Sequence, residues 1–240
     1  MEKLENLKVI LFDLDGTLLP LDQNYFVRVY FKSLTEKLAG DGYDPKRFSE
    51  AMKVGIYKMV TNDGSDTNEN IFWKSFSEAY GKDCRVDEPL FEEFYDKRFP
   101  KIQSEVGYSS RADEVVKELK SRGYRLVLAT NPVFPRVATL ERMRWAGISR
   151  EDFEIITTYE NSRYTKPNPD YYRTLAKALG VLPEECLMVG NDVSDDMPAR
   201  TLGMQVFLLT DCLINKSDED LSAYPHGDFD ALINYINNIV

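Results

Sequence analysis

Two aspartates one residue apart, Asp13 and Asp15, close the apolar run Val9-Ile10-Leu11-Phe12 and are followed by Gly16-Thr17. The run predicts a buried strand, and Gly16 lets the chain turn sharply after it. Paired carboxylates repel one another unless a cation or a reaction uses them. In open α/β sheets the carboxyl ends of strands are where ligands bind. Three more polar groups follow apolar runs in the same way. Thr130-Asn131 comes after Leu126-Val127-Leu128-Ala129. Lys166, in Tyr164-Thr165-Lys166-Pro167, lies between a candidate strand at Phe153 to Thr157 and the next helix. Asn191-Asp192-Val193-Ser194-Asp195-Asp196 comes after Leu187-Met188-Val189-Gly190. In a parallel sheet these strand ends share one edge, so the groups converge.

The chemistry they suit is phosphoryl transfer. Asp13 is placed to attack phosphorus as a carboxylate nucleophile, giving an aspartyl-phosphate. Asp15 is the candidate to protonate the leaving oxygen and then deprotonate water. The Thr130 hydroxyl, with backbone N–H groups, would hold phosphoryl oxygens, and Lys166 would set a fixed positive charge against the transferring group. Asp13, Asp192 and the backbone carbonyl of Asp15 make an oxygen-only site that suits Mg²⁺, a cation that takes one or two carboxylates with waters and phosphate. Each group alone has a plainer reading. Asp-x-Asp-Gly is usually a turn, Thr130 a cap for the next helix, Lys166 a surface lysine, and the acids from Asp192 to Asp196 a helix N-terminus. Their joint occurrence in this order favours the chemical reading.

Asp13-Leu14-Asp15-Gly16-Thr17, then Thr130, Lys166, and Asp192 with Asp196 resemble the haloacid dehalogenase (HAD) superfamily, in order and across the whole sheet region. The resemblance implies a Rossmann-like α/β core, Mg²⁺-dependent phosphoryl transfer through a phospho-aspartate, and an α-helical cap inserted between the first and second motifs. Gly16, Thr17, Thr130, Asn131 and Lys166 are then expected around the phosphate, with Asn191 and Asp196 in support. The fourth motif departs from the family pattern, which commonly reads Gly-Asp with a second acid three or four residues on; here Asn191 directly follows Gly190. Either Asp192 or Asn191 faces the metal. Asp192 is favoured because a carboxylate binds Mg²⁺ better than an amide, and Asp196 is favoured over Asp195 for the second role. Asp15 points to the phosphatase branch over the dehalogenase branch. A phosphomutase with the same residues is one alternative, and a non-catalytic protein that binds a phosphorylated ligand is another.

The elements that must position these groups follow from periodicity. Apolar residues at helical spacing predict four helices in the insertion, around Phe26–Leu38, Phe48–Met59, Phe72–Tyr80 and Leu90–Tyr95. The polar stretch Thr61 to Asn70 reads as a solvated loop. Beyond residue 105, Ser110 is a candidate N-cap, Pro135 and Pro169 open helices, and Val206 to Leu209 is a fifth strand. A last helix is expected from Phe229 to Ile239. Strands alternating with helices predict a parallel sheet, with a core at 1–20 and 105–240 and a helical cap at 21–104. Phe72, Trp73 and Phe76 read as core, whereas Phe26, Tyr30 and Tyr57 are left between core and cleft. His226 reads as a structural turn residue and Arg163 as surface.

Composition narrows the partners. A formal charge of -10 argues against nucleic acid and against an anionic membrane surface. Cys84, Cys186 and Cys212 have no disulfide or zinc spacing. The charged start, Met1 to Lys8, leads straight into the first strand, and no apolar run is long enough to cross a membrane. Neither a P-loop nor a dinucleotide fingerprint is present, so no nucleotide cofactor is implied. The expectation is a cytoplasmic monomer acting on a small phosphorylated substrate.

Overall fold

The computed structural model describes residues 6–239; Met1 to Glu5, part of the charged start, and Val240 lie outside them. Six parallel strands form one sheet: β1 (Val9–Phe12), β2 (Arg125–Leu128), β3 (Ile155–Ile156), β4 (Cys186–Gly190), β5 (Gln205–Leu209) and β6 (His226–Gly227), in the order β3-β2-β1-β4-β5-β6. β1 is wholly apolar and buried, as a strand with both faces covered must be. Successive side chains point to opposite faces. Ile10, Phe12, Leu128 and Val189 therefore join one apolar cluster, and Val9, Leu11, Val127 and Met188 join a second one on the far side.

Between β1 and β2 the chain forms α1 (Gln23–Gly40), α2 (Pro45–Val60), α3 (Asn68–Tyr80) and α4 (Glu88–Lys97), then α5 (Ser110–Ser121). Local chemistry sets these limits. Asp22, Asp44 and Thr67 accept backbone N–H groups at the starts of α1, α2 and α3. Gly81, at φ 84°, ends α3 in the left-handed conformation that suits glycine. After β2 come α6 (Arg136–Trp145), α7 (Pro169–Leu179) and α8 (Phe229–Ile239). The insertion is not held apart from the sheet. Phe26, Tyr30, Phe94 and Phe99 belong to the same apolar cluster as Trp145 of α6, with the Phe99 and Trp145 rings stacked 4.9 Å apart. Among the described residues no helix is long and apolar enough to cross a membrane.

The structure corrects several expectations. The third strand is limited to Ile155–Ile156 rather than Phe153 to Thr157: the Glu154 and Thr157 N–H groups still reach the Leu126 and Leu128 carbonyls at 2.8 and 3.0 Å, but outside them the Phe153 N–H turns to the Arg150 carbonyl and the Asn161 side chain takes the Thr158 N–H and the Ile156 carbonyl. Ser110 is the first helical residue and not the cap; Ser109 holds that position without a side-chain bond. His226 lies in the short edge strand β6, its Nδ1 2.9 Å from the Tyr224 carbonyl. The stretch Thr61 to Asn70 is a loop with exposed residues at Thr61, Asp63 and Ser65, but it is not solvated throughout. Its last residues start α3, and Asn62 and Asn68 are buried and hydrogen-bonded to each other at 2.8 Å. Asn68 also donates to the Pro132 carbonyl at 3.1 Å through its side chain and to the Ser162 carbonyl at 2.8 Å through its backbone, tying the insertion to the segments after β2 and β3.

Candidate active site

The ladder continues one residue past β1. The Asp13 N–H donates to the Val189 carbonyl at 2.9 Å, and the Ala129 N–H donates to the Phe12 carbonyl at 2.7 Å. Asp13 is thereby held between β2 and β4. The chain then doubles back, with Gly16 N–H on the Leu19 carbonyl and Leu19 N–H on the Leu14 carbonyl, both at 2.8 Å. Gly16 has φ 86°, and a Cβ there would fall 2.3 Å from Asn191 Nδ2. The conformation and the close approach both demand glycine.

Lys166 is the hub. Its Nζ donates to Asp13 Oδ1 and to Asp196 Oδ1, each at 2.7 Å, and the side chain is almost wholly buried. Asp13 Oδ2 accepts from the Thr17 hydroxyl at 3.1 Å. Asp196 Oδ2 accepts the Asp192 N–H at 3.0 Å, and a Cβ on Gly190 would sit 2.1 Å from that oxygen. The glycine at the end of β4 therefore makes room for the carboxylate that holds Lys166. Two tyrosines of α7 brace the flanking loops. Tyr171 donates to the Thr130 carbonyl at 3.0 Å and Tyr172 to the Asp195 carbonyl at 2.5 Å.

Asp13, Asp15, Thr130, Asn131, Lys166, Asn191, Asp192 and Asp196 all line one small cavity of about 30 Å³, together with Asp195 and Gln23. Gly16 and Thr17 adjoin it through their contacts with Asn191 and Asp13. Asn191 is buried, its Oδ1 sharing the one Thr17 hydroxyl proton with Asp13 at 3.1 Å and its Nδ2 donating to the Cys212 carbonyl at 2.6 Å. Asp192 uses Oδ1 for the N–H groups of Ser194 at 2.8 Å and Asp195 at 3.2 Å. Asn131 reaches Asp195 Oδ2 at 3.3 Å, while its own Oδ1 is buried without a partner.

Five aspartates face one lysine across this cavity. Burial raises the carboxyls of Asp15, Asp195 and Asp196, against the pull of the nearby cations. Burial alone would lower the Lys166 ammonium, but Asp13 and Asp196 carry it well above the ordinary lysine value. Among the described residues no three His, Cys, Asp or Glu side chains gather as a closed metal cage. An all-oxygen donor set of one or two carboxylates, open to water and substrate, fits a hard octahedral cation.

One participant escapes the motif reading. Arg142 of α6 is completely buried and its Nη1 pairs with Asp15 Oδ2. A signal for it exists. Ala138, Arg142 and Trp145 fall at i, i+4 and i+7 on the buried stripe of α6, so a cation stands at a core position.

A larger cavity of about 550 Å³ lies between the insertion and the segment after Asn131, lined mostly by apolar side chains that include Tyr30, Met52, Phe72, Trp73, Phe134 and Tyr159. Phe72 and Trp73 thus wall a cavity and do not belong to the core alone, whereas Phe76 is fully buried. Of the three aromatics left open, Tyr30 lines this cavity, Phe26 is core, and Tyr57 is 63% exposed. Arg163 is exposed, and it bonds the carbonyls of Gly64 and Ser65 at 3.1 Å.

Known proteins resemble this chain in sequence and in fold. A glyceraldehyde 3-phosphate phosphatase of Methanocaldococcus jannaschii is 25% identical over 236 residues, covering 97% of this chain and 98% of its own length. The SUPPRESSOR OF QUENCHING 1 protein of Arabidopsis thaliana is 26% identical over 199 residues, and there the match spans 82% of this chain but only 17% of the plant protein. A crystallised HAD phosphatase from Thermococcus onnurineus has the same fold, with a TM-score of 0.57 at 20% identity over 95% of this chain and 97% of its own. The family described as haloacid dehalogenase-like hydrolase matches residues 7–202, from the start of the sheet to beyond the last of the strand-end aspartates, and this chain belongs to it.

Proposed function

We propose that the protein is a Mg²⁺-dependent phosphatase that hydrolyses a small phosphorylated metabolite through an aspartyl-phosphate on Asp13. The observation that carries this reading is the triad in which Lys166 Nζ lies 2.7 Å from both Asp13 Oδ1 and Asp196 Oδ1, with Asp15 on the same cavity. A carboxylate, a fixed buried cation and a second acid are the parts that in-line phosphoryl transfer needs. A relative named for glyceraldehyde 3-phosphate supports a small substrate.

An Asp13 oxygen forms the new bond to phosphorus as the ester P–O bond breaks, and Asp15 gives its proton to the departing alcohol oxygen. Water then attacks the same phosphorus, Asp15 takes its proton, and the Asp13–phosphorus bond breaks to release phosphate. Lys166 stays fixed by Asp196 and offsets charge on the moving group, while the loops of Thr130-Asn131 and Gly16-Thr17 border its oxygens. Asp13, the Asp15 carbonyl and Asp192 are the proposed Mg²⁺ donors, with Asn191 and Asp196 in support. When bound, the cation adds charge stabilisation to the phosphoryl oxygens. Residues 21–104 act as a cap, so specificity falls to side chains such as Tyr30, Phe72 and Trp73 on its inner wall.

The test is phosphate release from a panel of phosphorylated sugars, short acids and an aryl phosphate, with and without Mg²⁺. Wild type releases phosphate only with the cation, and Asp13→Asn releases none above background. Equal rates in the two proteins reject the reading. Recovery of an isomeric phosphate ester in place of free phosphate identifies a mutase.

A further inference from the structure

Arg142 has no place in the reaction as outlined, yet it is completely buried and tied to Asp15. Its guanidinium has little freedom. Nε donates to the Ala138 carbonyl and Nη2 to the Thr139 hydroxyl, both at 3.3 Å, and the group lies 4.2 Å from the centre of the Phe134 ring. The remaining corner, Nη1, holds Asp15 Oδ2. Asp15 Oδ1 is buried, makes no hydrogen bond, and belongs to a residue that lines the small cavity beside Asp13. The last torsion of an aspartate is broad and nearly two-fold. A carboxyl group left alone there would turn freely, and proton transfer needs one oxygen within hydrogen-bond reach of the leaving group.

We propose that Arg142 is a positioning residue: by fastening Asp15 Oδ2 it directs Oδ1 toward the leaving-group oxygen. The inference rests on the reading of Asp15 as the proton donor. A buried arginine–carboxylate pair gives little net stability over an apolar replacement. A guanidinium engaged at all three nitrogens, paired with one oxygen of a carboxyl group that lines a reactive cavity, is therefore better explained by orientation than by folding. Phe134, which backs the guanidinium, also walls the larger cavity. The clamp thus joins the Asp15 side of the site to the inner face of the insertion.

The experiment compares wild type, Arg142→Met, Arg142→Lys, Asp15→Asn and the Asp15→Asn/Arg142→Met pair on an alkyl phosphate and on p-nitrophenyl phosphate. The ratio kcat/KM covers the steps up to departure of the alcohol or phenol. An alkoxide needs the donated proton and p-nitrophenolate does not. Arg142→Met is expected to lower kcat/KM on the alkyl phosphate by about 100-fold, the lower range of general-acid effects, and to change it less than about five-fold on the aryl phosphate. The loss should fall on kcat and not on KM. Arg142→Lys, which keeps one donor, should recover part of it. The double variant should be no slower than Asp15→Asn alone, because Arg142 acts only through Asp15. With both charges removed, that variant also keeps the comparison open if Arg142→Met folds poorly. Equal losses on the two substrates, additive losses in the double variant, or a rise in kcat on releasing Asp15 overturn the proposal. A wild type that releases no phosphate from either substrate overturns the phosphatase reading and this inference with it.

Discussion

Lys166 is the residue on which the charge balance of the site turns. With almost no solvent contact it pairs with two carboxylates, Asp13 and Asp196, each 2.7 Å away. Removing one partner of a buried ionic cluster leaves uncompensated charge, at a cost of about 3–5 kcal/mol. Lys166→Met should therefore lose stability as well as turnover. Adding Asp196→Asn removes one of the stranded charges, so the double variant should regain much of the lost melting temperature while phosphate release stays down by about 100-fold or more. Thermal melts of both proteins beside their turnover check this. Parallel recovery of stability and activity would show that Lys166 only supports the fold.

Among the elements, the start of α3 has a task beyond closing the insertion. Asn68 joins Asn62 at 2.8 Å, the Pro132 carbonyl at 3.1 Å and, through its backbone, the Ser162 carbonyl at 2.8 Å. Pro132 directly follows the Thr130-Asn131 segment, so this contact sets the insertion against a wall of the site. Asn68→Ala strands the buried Pro132 carbonyl and leaves the Asn62 amide only its bond to the Asp66 carbonyl, which costs about 1–3 kcal/mol. The expected outcome is faster hydrogen exchange across residues 61–68 and a higher KM with little change in kcat. Unchanged exchange in that segment would show that the side chain does not hold the docking.

At the scale of the whole molecule, acid stability has a traceable part. Glu93 of α4 lies 2.8 Å from Lys37 of α1 and 2.9 Å from Lys97, and these cations hold its carboxyl down at about 2 from an ordinary 4.5. A depressed folded-state value adds stability that is complete above the unfolded value and is lost as pH falls through the folded one. Glu93→Gln should melt below wild type at neutral pH, and the gap should close between pH 4.5 and about 2. The gap should also shrink in high salt, because the Lys97–Glu93 pair is exposed. A gap that does not change with pH would mean that the variant acts through packing.

The sequence by itself determined the strand ends and what they carry. Local rules suffice for three of them: an apolar run makes a buried strand, the residues just after it lie at the carboxyl edge of the sheet, and Asp13, Thr130 and Asp192 follow β1, β2 and β4 in this way, whereas Lys166 lies in the loop between β3 and α7. The four helices of the insertion were legible for the same reason, since a 3.6-residue period is written in consecutive residues. Only the tertiary structure decided that Arg142, on the buried stripe of α6, meets Asp15, because that pairing depends on how α6 lies against the turn after β1. It also decided that the polar stretch before α3 docks against the segment after β2, since that follows from a side chain whose partner is distant in the chain. Periodicity records which face of an element is buried, but the partner that a buried polar atom finds there exists only once the chain is folded.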